Sequence, residues 1–270
     1  MPFFETSGTR MHYTDTGLGG TPIVFSHGLL FDTRMFDAQV AHFKNRYRCI
    51  AFDHRGQGGS NATSGFDMDT LTADAAALIR HLGVEKCHFV GLSMGGFVAQ
   101  RLAINHPELL RSVTILDSSA EAEPPENLPK YKMLSFLLRW IGPWAVVPSV
   151  MPILFSQSFL GDDSKKPMRE LWAKRLRQLS RIKTPRAVAG VLERAPVLDQ
   201  LARISLPTLV MVGKEDVATV PAKSERMHGE IVGSKLVYID AAGHSAPIEN
   251  PEDVNAGLAA FFTQVDAAKN

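Results

Sequence analysis

The 270-residue sequence is 45% hydrophobic and 21% charged, with a formal net charge of +1. That is the make-up of an ordinary globular protein with a substantial core, sized for one large domain or two small ones. So small a net charge gives no electrostatic case for nucleic acid or an anionic membrane as the main partner.

Taken in chain order, the opening MPFFETSGTRMHYTDTG lacks a basic start followed by an apolar core. No signal peptide is expected, and a cytoplasmic protein is the default. Met11–Thr16 and Pro22–Ser26 read as short strands separated by the turn formers Gly17, Gly19 and Gly20. A helix is predicted over Met35–Lys44, then a strand over Tyr47–Phe52. Leu71, Ala75, Leu78 and Leu82 recur at helical spacing, which predicts a helix over Met68–Leu82 stopped by Gly83. Cys87–Gly91 is then strand, Met94–Asn105 helix and Ser112–Leu116 strand. Such alternation specifies an α/β fold with a mainly parallel sheet and helices on both faces.

The alternation lapses over residues 121–201, where Pro124, Pro125 and Pro129 precede helix-like segments, including the basic run Met168–Arg181. That run reads as a solvated helix face. Alternation returns with a strand at Thr208–Val212, a helix near Val220–His228, a strand at Leu236–Ile239 and a last helix over Pro251–Val265. The organisation is therefore one α/β core, 1–120 and 202–270, interrupted by a helical insertion at 121–201. Within the insertion, Met133–Phe155 is apolar and long enough to span a bilayer. Arg139, Gly142, Pro143, Pro148 and Pro152 would break a helix there, so a lid over an apolar pocket is expected and not a membrane span. Cys49 and Cys87 are too few for a disulfide framework or a zinc site, and each lies in a strand-like run, so both are expected as buried thiols.

The chemistry concentrates at three places. Gly91-Leu92-Ser93-Met94-Gly95 fits G-x-S-x-G between a strand and a helix, where flanking glycines allow the strained turn that exposes a serine hydroxyl. A hydroxyl needs a base held by an acid. His244 follows the strand Leu236–Ile239, and Asp216 follows Thr208–Val212. Both positions are loops at carboxyl ends of strands, where open α/β sheets bind ligands, and the order Ser, Asp, His is the one this elbow carries. The candidate catalytic residues are thus Ser93, Asp216 and His244. No metal cluster and no nucleotide-binding fingerprint is visible, so no cofactor is expected.

Ser26-His27-Gly28-Leu29, Asp53-His54-Arg55-Gly56-Gln57-Gly58-Gly59-Ser60, Gly91–Gly96, Gly213–Asp216 and Gly243-His244 together resemble the α/β-hydrolase family along nearly the whole chain. The resemblance implies that fold with a helical lid, and an oxyanion hole from the backbone N–H groups of Leu29 and Met94. It implies a structural role for the Asp53–Ser60 loop. It also offers Asp117 as an alternative triad acid, with Glu215 third. More finely, the chain resembles small bacterial carboxylesterases, 3-oxoadipate enol-lactonases and acyl-homoserine lactonases. The expected function is a serine hydrolase acting on a small-molecule ester or lactone. Carbon–carbon bond hydrolysis, cofactor-free perhydrolysis and a receptor-like lactone-binding role use the same triad and stand as alternatives. His27-Gly28-Leu29-Leu30 departs from the HGGG form, which argues against tertiary-alcohol esters. Trp140 and Trp144 are expected to line the substrate pocket.

Overall fold

The computed structural model describes residues 2–17, 19–62 and 65–268. Eight strands, β1 (Phe3–Thr6), β2 (Thr9–Asp15), β3 (Pro22–Ser26), β4 (Arg48–Phe52), β5 (Cys87–Leu92), β6 (Leu110–Leu116), β7 (Thr208–Gly213) and β8 (Lys235–Ile239), form one sheet in the order β1-β2-β4-β3-β5-β6-β7-β8. β1 and β2 pair antiparallel, as do β2 and β4; every other pairing is parallel. The β1–β2 hairpin, which the sequence reading did not anticipate, turns on Ser7 and Gly8, both at positive φ. Only one β1 side chain, Phe4, faces the core, and it pairs with the buried Met11. A strand with one inward residue leaves little alternation to read.

Helices cover both faces. α1 (Asp37–Phe43) is preceded by a single 3₁₀ turn at Thr33–Phe36, whose N-cap Asp32 accepts from the Arg34 N–H. α2 (Met68–His81) and α3 (Met94–Asn105) follow, and later come α9 (Pro221–Glu230), the short α10 (Ala246–Glu249) and α11 (Pro251–Ala267). Alternation along β3 divides the core in two. Val24 joins the apolar cluster under α2 and α3, while Ile23 and Phe25 join the one under α1 and α11. β5 and β7 are buried at every residue, as central strands covered on both faces must be.

Between β6 and β7 lie five helices: α4 (Leu128–Trp140), α5 (Pro143–Leu154), α6 (Gln157–Gly161), α7 (Lys166–Leu176) and α8 (Lys183–Leu192). The expected breaks by Pro148 and Pro152 do not occur. The chain breaks at Gly142, φ 128°, and both prolines sit inside α5. Both lie on its exposed side. Among the described residues no helix is long and apolar enough to cross a membrane. Cys49 and Cys87 are both free and buried, and burial pushes their thiols up, that of Cys49 to about 12.

Candidate active site

The site is built where β5 passes into α3. Ser93 occupies the turn at φ 53°, ψ −112°, a costly conformation for a residue with a Cβ, of order 1–3 kcal/mol. Glycines make that turn possible by letting backbones touch. A Cβ on Gly95 would lie 2.0 Å from the Ser26 carbonyl oxygen, and one on Gly91 2.1 Å from that of Gly95. The Ser93 N–H donates to the Leu116 carbonyl at 2.9 Å, fixing the elbow to β6.

His244 lies in the turn after β8, and Asp216 in the turn after β7. Ser93 Oγ is 2.8 Å from His244 Nε2, and His244 Nδ1 is 2.9 Å from Asp216 Oδ2. Asp216 is itself held. Its Oδ1 accepts from the Ala218 and Thr219 N–H groups at 2.8 and 2.9 Å, and its Oδ2 accepts from the Thr219 hydroxyl at 2.7 Å. The His244 loop is clipped by the buried Glu249 carboxylate, which accepts from the N–H groups of Gly243, Ser245 and Ser156. Thr219 and Glu249 were not singled out from the sequence. Glu249 lies five residues after His244, so position gave the only signal, and its contact with Ser156 comes from the distant insertion.

Burial opposes charge on both members of the His244–Asp216 pair, but their mutual attraction and hydrogen bond prevail. His244 is raised above the usual histidine value, and Asp216 is lowered below the usual carboxylate value. The other two acids are placed differently. Asp117 Oδ1 accepts from the Gly213 N–H at 2.7 Å, and its buried Oδ2 has no partner. Burial, reinforced by the nearby Asp216, pushes Asp117 well above the usual range. Glu215 faces the insertion, where its carboxylate accepts from the Ser158 N–H at 3.0 Å and from the Ser158 hydroxyl.

Met94 is the first residue of α3, where N–H groups lack intrahelical acceptors and the helix dipole is positive. The His27–Leu30 loop lies against the elbow: a Cβ on Gly28 would sit 2.9 Å from Leu92 Cδ2 and 3.4 Å from Ser93 Cβ. His27 pins this loop. Its Nε2 accepts from the His54 N–H at 3.0 Å, leaving Nδ1 as donor to the Gly28 carbonyl at 2.7 Å, and burial lowers its pKa. Gln57, another residue not singled out, accepts from the Leu30 N–H at 2.9 Å and reaches Met94 Sδ at 3.5 Å, joining the two loops. Elsewhere in the Asp53–Ser60 loop, Asp53 accepts from the Thr33 and Gly59 N–H groups, and Arg55 makes two 2.6 Å bonds to Asp74 of α2.

Ser93 and His244 open into a cavity of about 140 Å³ roofed by the insertion. α4 lines it with Tyr131, Leu134, Ser135 and Leu138, and α5 with residues that include Val147 and Val150. Trp140 and Trp144, expected in this wall, are instead 63% and 66% exposed on the outside. The reason is helical phase. Each lies two residues, about 200°, from a cavity-facing neighbour, Leu138 or Val146. The wall carries one buried ion pair, Arg194 to Glu123 at 3.0 Å, with the guanidinium 4.4 Å over the Phe97 ring. Among the described residues no group of three or more His, Cys, Asp or Glu is arranged to hold a metal ion.

Residues 23–256 match the model of the Alpha/beta hydrolase family. The chain is 30% identical over 270 residues to 3-oxoadipate enol-lactonase 2 of Acinetobacter baylyi, covering 97% of this chain and 98% of that protein. It superposes with a TM-score of 0.90 on the enol-lactonase from Burkholderia xenovorans LB400 (25% identity; 97% of this chain, 100% of that one). A thermophilic esterase from Thermogutta terrifontis gives 0.89 (30% identity; 97% of each chain). The chain therefore belongs to the alpha/beta hydrolase family and is a hydrolase.

Proposed function

We propose that this protein cleaves carboxylic esters, either as a carboxylesterase or as a lactonase, through an acyl-enzyme on Ser93. The observation that carries the reading is the unbroken relay Ser93 Oγ–His244 Nε2–His244 Nδ1–Asp216 Oδ2, at 2.8 and 2.9 Å, opening into an apolar cavity. Relatives named for enol-lactone and ester hydrolysis, matched end to end, support the same reaction class.

Ser93 Oγ attacks the ester carbonyl carbon while His244 Nε2 takes its proton, and Asp216 stabilises the resulting imidazolium. The carbonyl oxygen becomes an oxyanion received by the N–H groups of Leu29 and Met94, each such donor being worth roughly 3 kcal/mol. Collapse breaks the bond to the alcohol oxygen, which takes the proton back from Nε2. Water then attacks the acyl-enzyme with His244 again as base, releasing the acid and restoring Ser93. In a lactone the alcohol stays tethered, so one molecule leaves and not two.

The test pairs substitution with labelling. Ser93→Ala should keep the fold, by circular dichroism, and lower kcat on p-nitrophenyl esters by about 10⁴- to 10⁶-fold. A fluorophosphonate should label Ser93 in the wild type and nothing in the variant. Substantial turnover by the purified variant refutes the mechanism.

A further inference from the structure

Net charge near zero conceals an uneven surface. Thirteen large apolar side chains are exposed among the described residues, and six of them lie together on the outside of the insertion: Met133, Phe136, Trp140, Ile141, Trp144 and Ile182, each 46–66% exposed. Met133, Phe136 and Trp140 share one face of α4 at spacings of three and four. The Phe136 and Trp140 rings lie 6.5 Å apart, and Ile141 and Trp144 continue the patch on either side of the Gly142 break. Arg181 ties in Ile182 by donating to the carbonyls of Arg139 and Trp140. The charges interleaved with these apolar residues along the chain have one sign. From Leu128 to Gly161 the chain contains no Asp or Glu, and the exposed charged residues beside the apolar ones are Lys130, Lys132, Arg139 and Arg181.

We propose that this face seats on an anionic phospholipid bilayer, with Trp140 and Trp144 at the interface and the four cations among the headgroups. Aromatic residues with one apolar and one polar edge favour that depth, and an apolar stripe flanked by Lys and Arg is what binds anionic surfaces peripherally. Each cation strengthens such binding by about fivefold. A second copy of the chain is a poorer occupant, because a two-fold contact would set these cations against themselves with no acid between them. The seating requires no spanning helix. It also places the cavity one helix thickness from the lipid, since the opposite face of α4 forms its wall.

The test uses the full chain and vesicles of phosphatidylcholine, alone or with roughly one-third phosphatidylglycerol. Cosedimentation with the anionic vesicles is expected, weak with the neutral ones and lost in high salt. Tryptophan emission should shift to the blue on binding. The third tryptophan, Trp172, is only 2% exposed, so the shift reports the two on the surface. The double variants Trp140→Ala/Trp144→Ala and Lys130→Glu/Lys132→Glu should each weaken partitioning at least tenfold. Both alter exposed side chains and should leave turnover of a short soluble ester within twofold of wild type. Three results overturn the proposal: no cosedimentation, binding retained in full by both variants, or a dimer in sedimentation velocity that the tryptophan variant dissolves. The salt and emission measurements on the unaltered protein decide the matter even if a variant misfolds.

Discussion

Asp216→Asn tests the assignment of the acid most directly, because the structure dictates how the new amide must sit. The Ala218 and Thr219 N–H groups both point at Oδ1, so the Asn carbonyl oxygen is retained there. The amide NH₂ then replaces Oδ2 and faces His244 Nδ1 at about the present 2.9 Å. A donor at that place forces Nδ1 to accept, which moves the ring proton to Nε2, where it points at Ser93 and blocks proton removal. Loss of the productive tautomer costs about 10⁴-fold in kcat, or about 5.5 kcal/mol at 1.36 per tenfold. Asp117→Asn is the control. Its oxygen can still accept from Gly213, and its NH₂ enters a position that already lacks a partner, on a group already biased toward its neutral form. That variant should lose less than tenfold. The assay is kcat and kcat/KM for p-nitrophenyl butyrate at pH 8, with thermal melts on each variant. A loss above 10³-fold in Asp117→Asn, or below 10²-fold in Asp216→Asn, would falsify the assignment while leaving the fold untouched.

Two further predictions concern pH and the acyl chain. Because the proposed base His244 must be neutral to accept a proton and its pKa is raised, kcat/KM should climb with pH through a single ionisation above the free histidine value of about 6.5. An ionisation at or below 6.5 in the pH–rate profile contradicts the pairing with Asp216. The apolar cavity predicts that efficiency rises from acetyl esters by about fourfold per methylene, from roughly 0.8 kcal/mol, until the space is full. Val147→Phe, which adds bulk to the wall, should move the optimum to a shorter chain, whereas Trp140→Ala should leave the profile unchanged. A flat wild-type profile, or a shift caused by Trp140→Ala, refutes an acyl pocket built from the inner faces of α4 and α5.

The parts legible in the sequence are those whose cause is local. Gly91 and Gly95 had to be glycine because backbone passes within about 2 Å of where a Cβ would sit, and Gly96 because the Ser118 side chain lies 2.5 Å from that place; those needs leave a recognisable motif around Ser93. Asp216 and His244 each follow a strand closely, and strand periodicity is a property of adjacent residues. The parallel sheet follows from the same alternation. What the tertiary structure decided depends on partners distant in sequence. Asp117 and Asp216 look alike as acids after strands; only folding brings His244 to one, and a lone Gly213 N–H to the other. Gln57 and Glu249 act by joining loops from separate parts of the chain, and composition carries no trace of that. The tryptophans show the limit most plainly. Their apolarity predicts a place to bury them, but two residues of helical phase turn Trp140 and Trp144 outward while Leu138 and Val146 face the cavity.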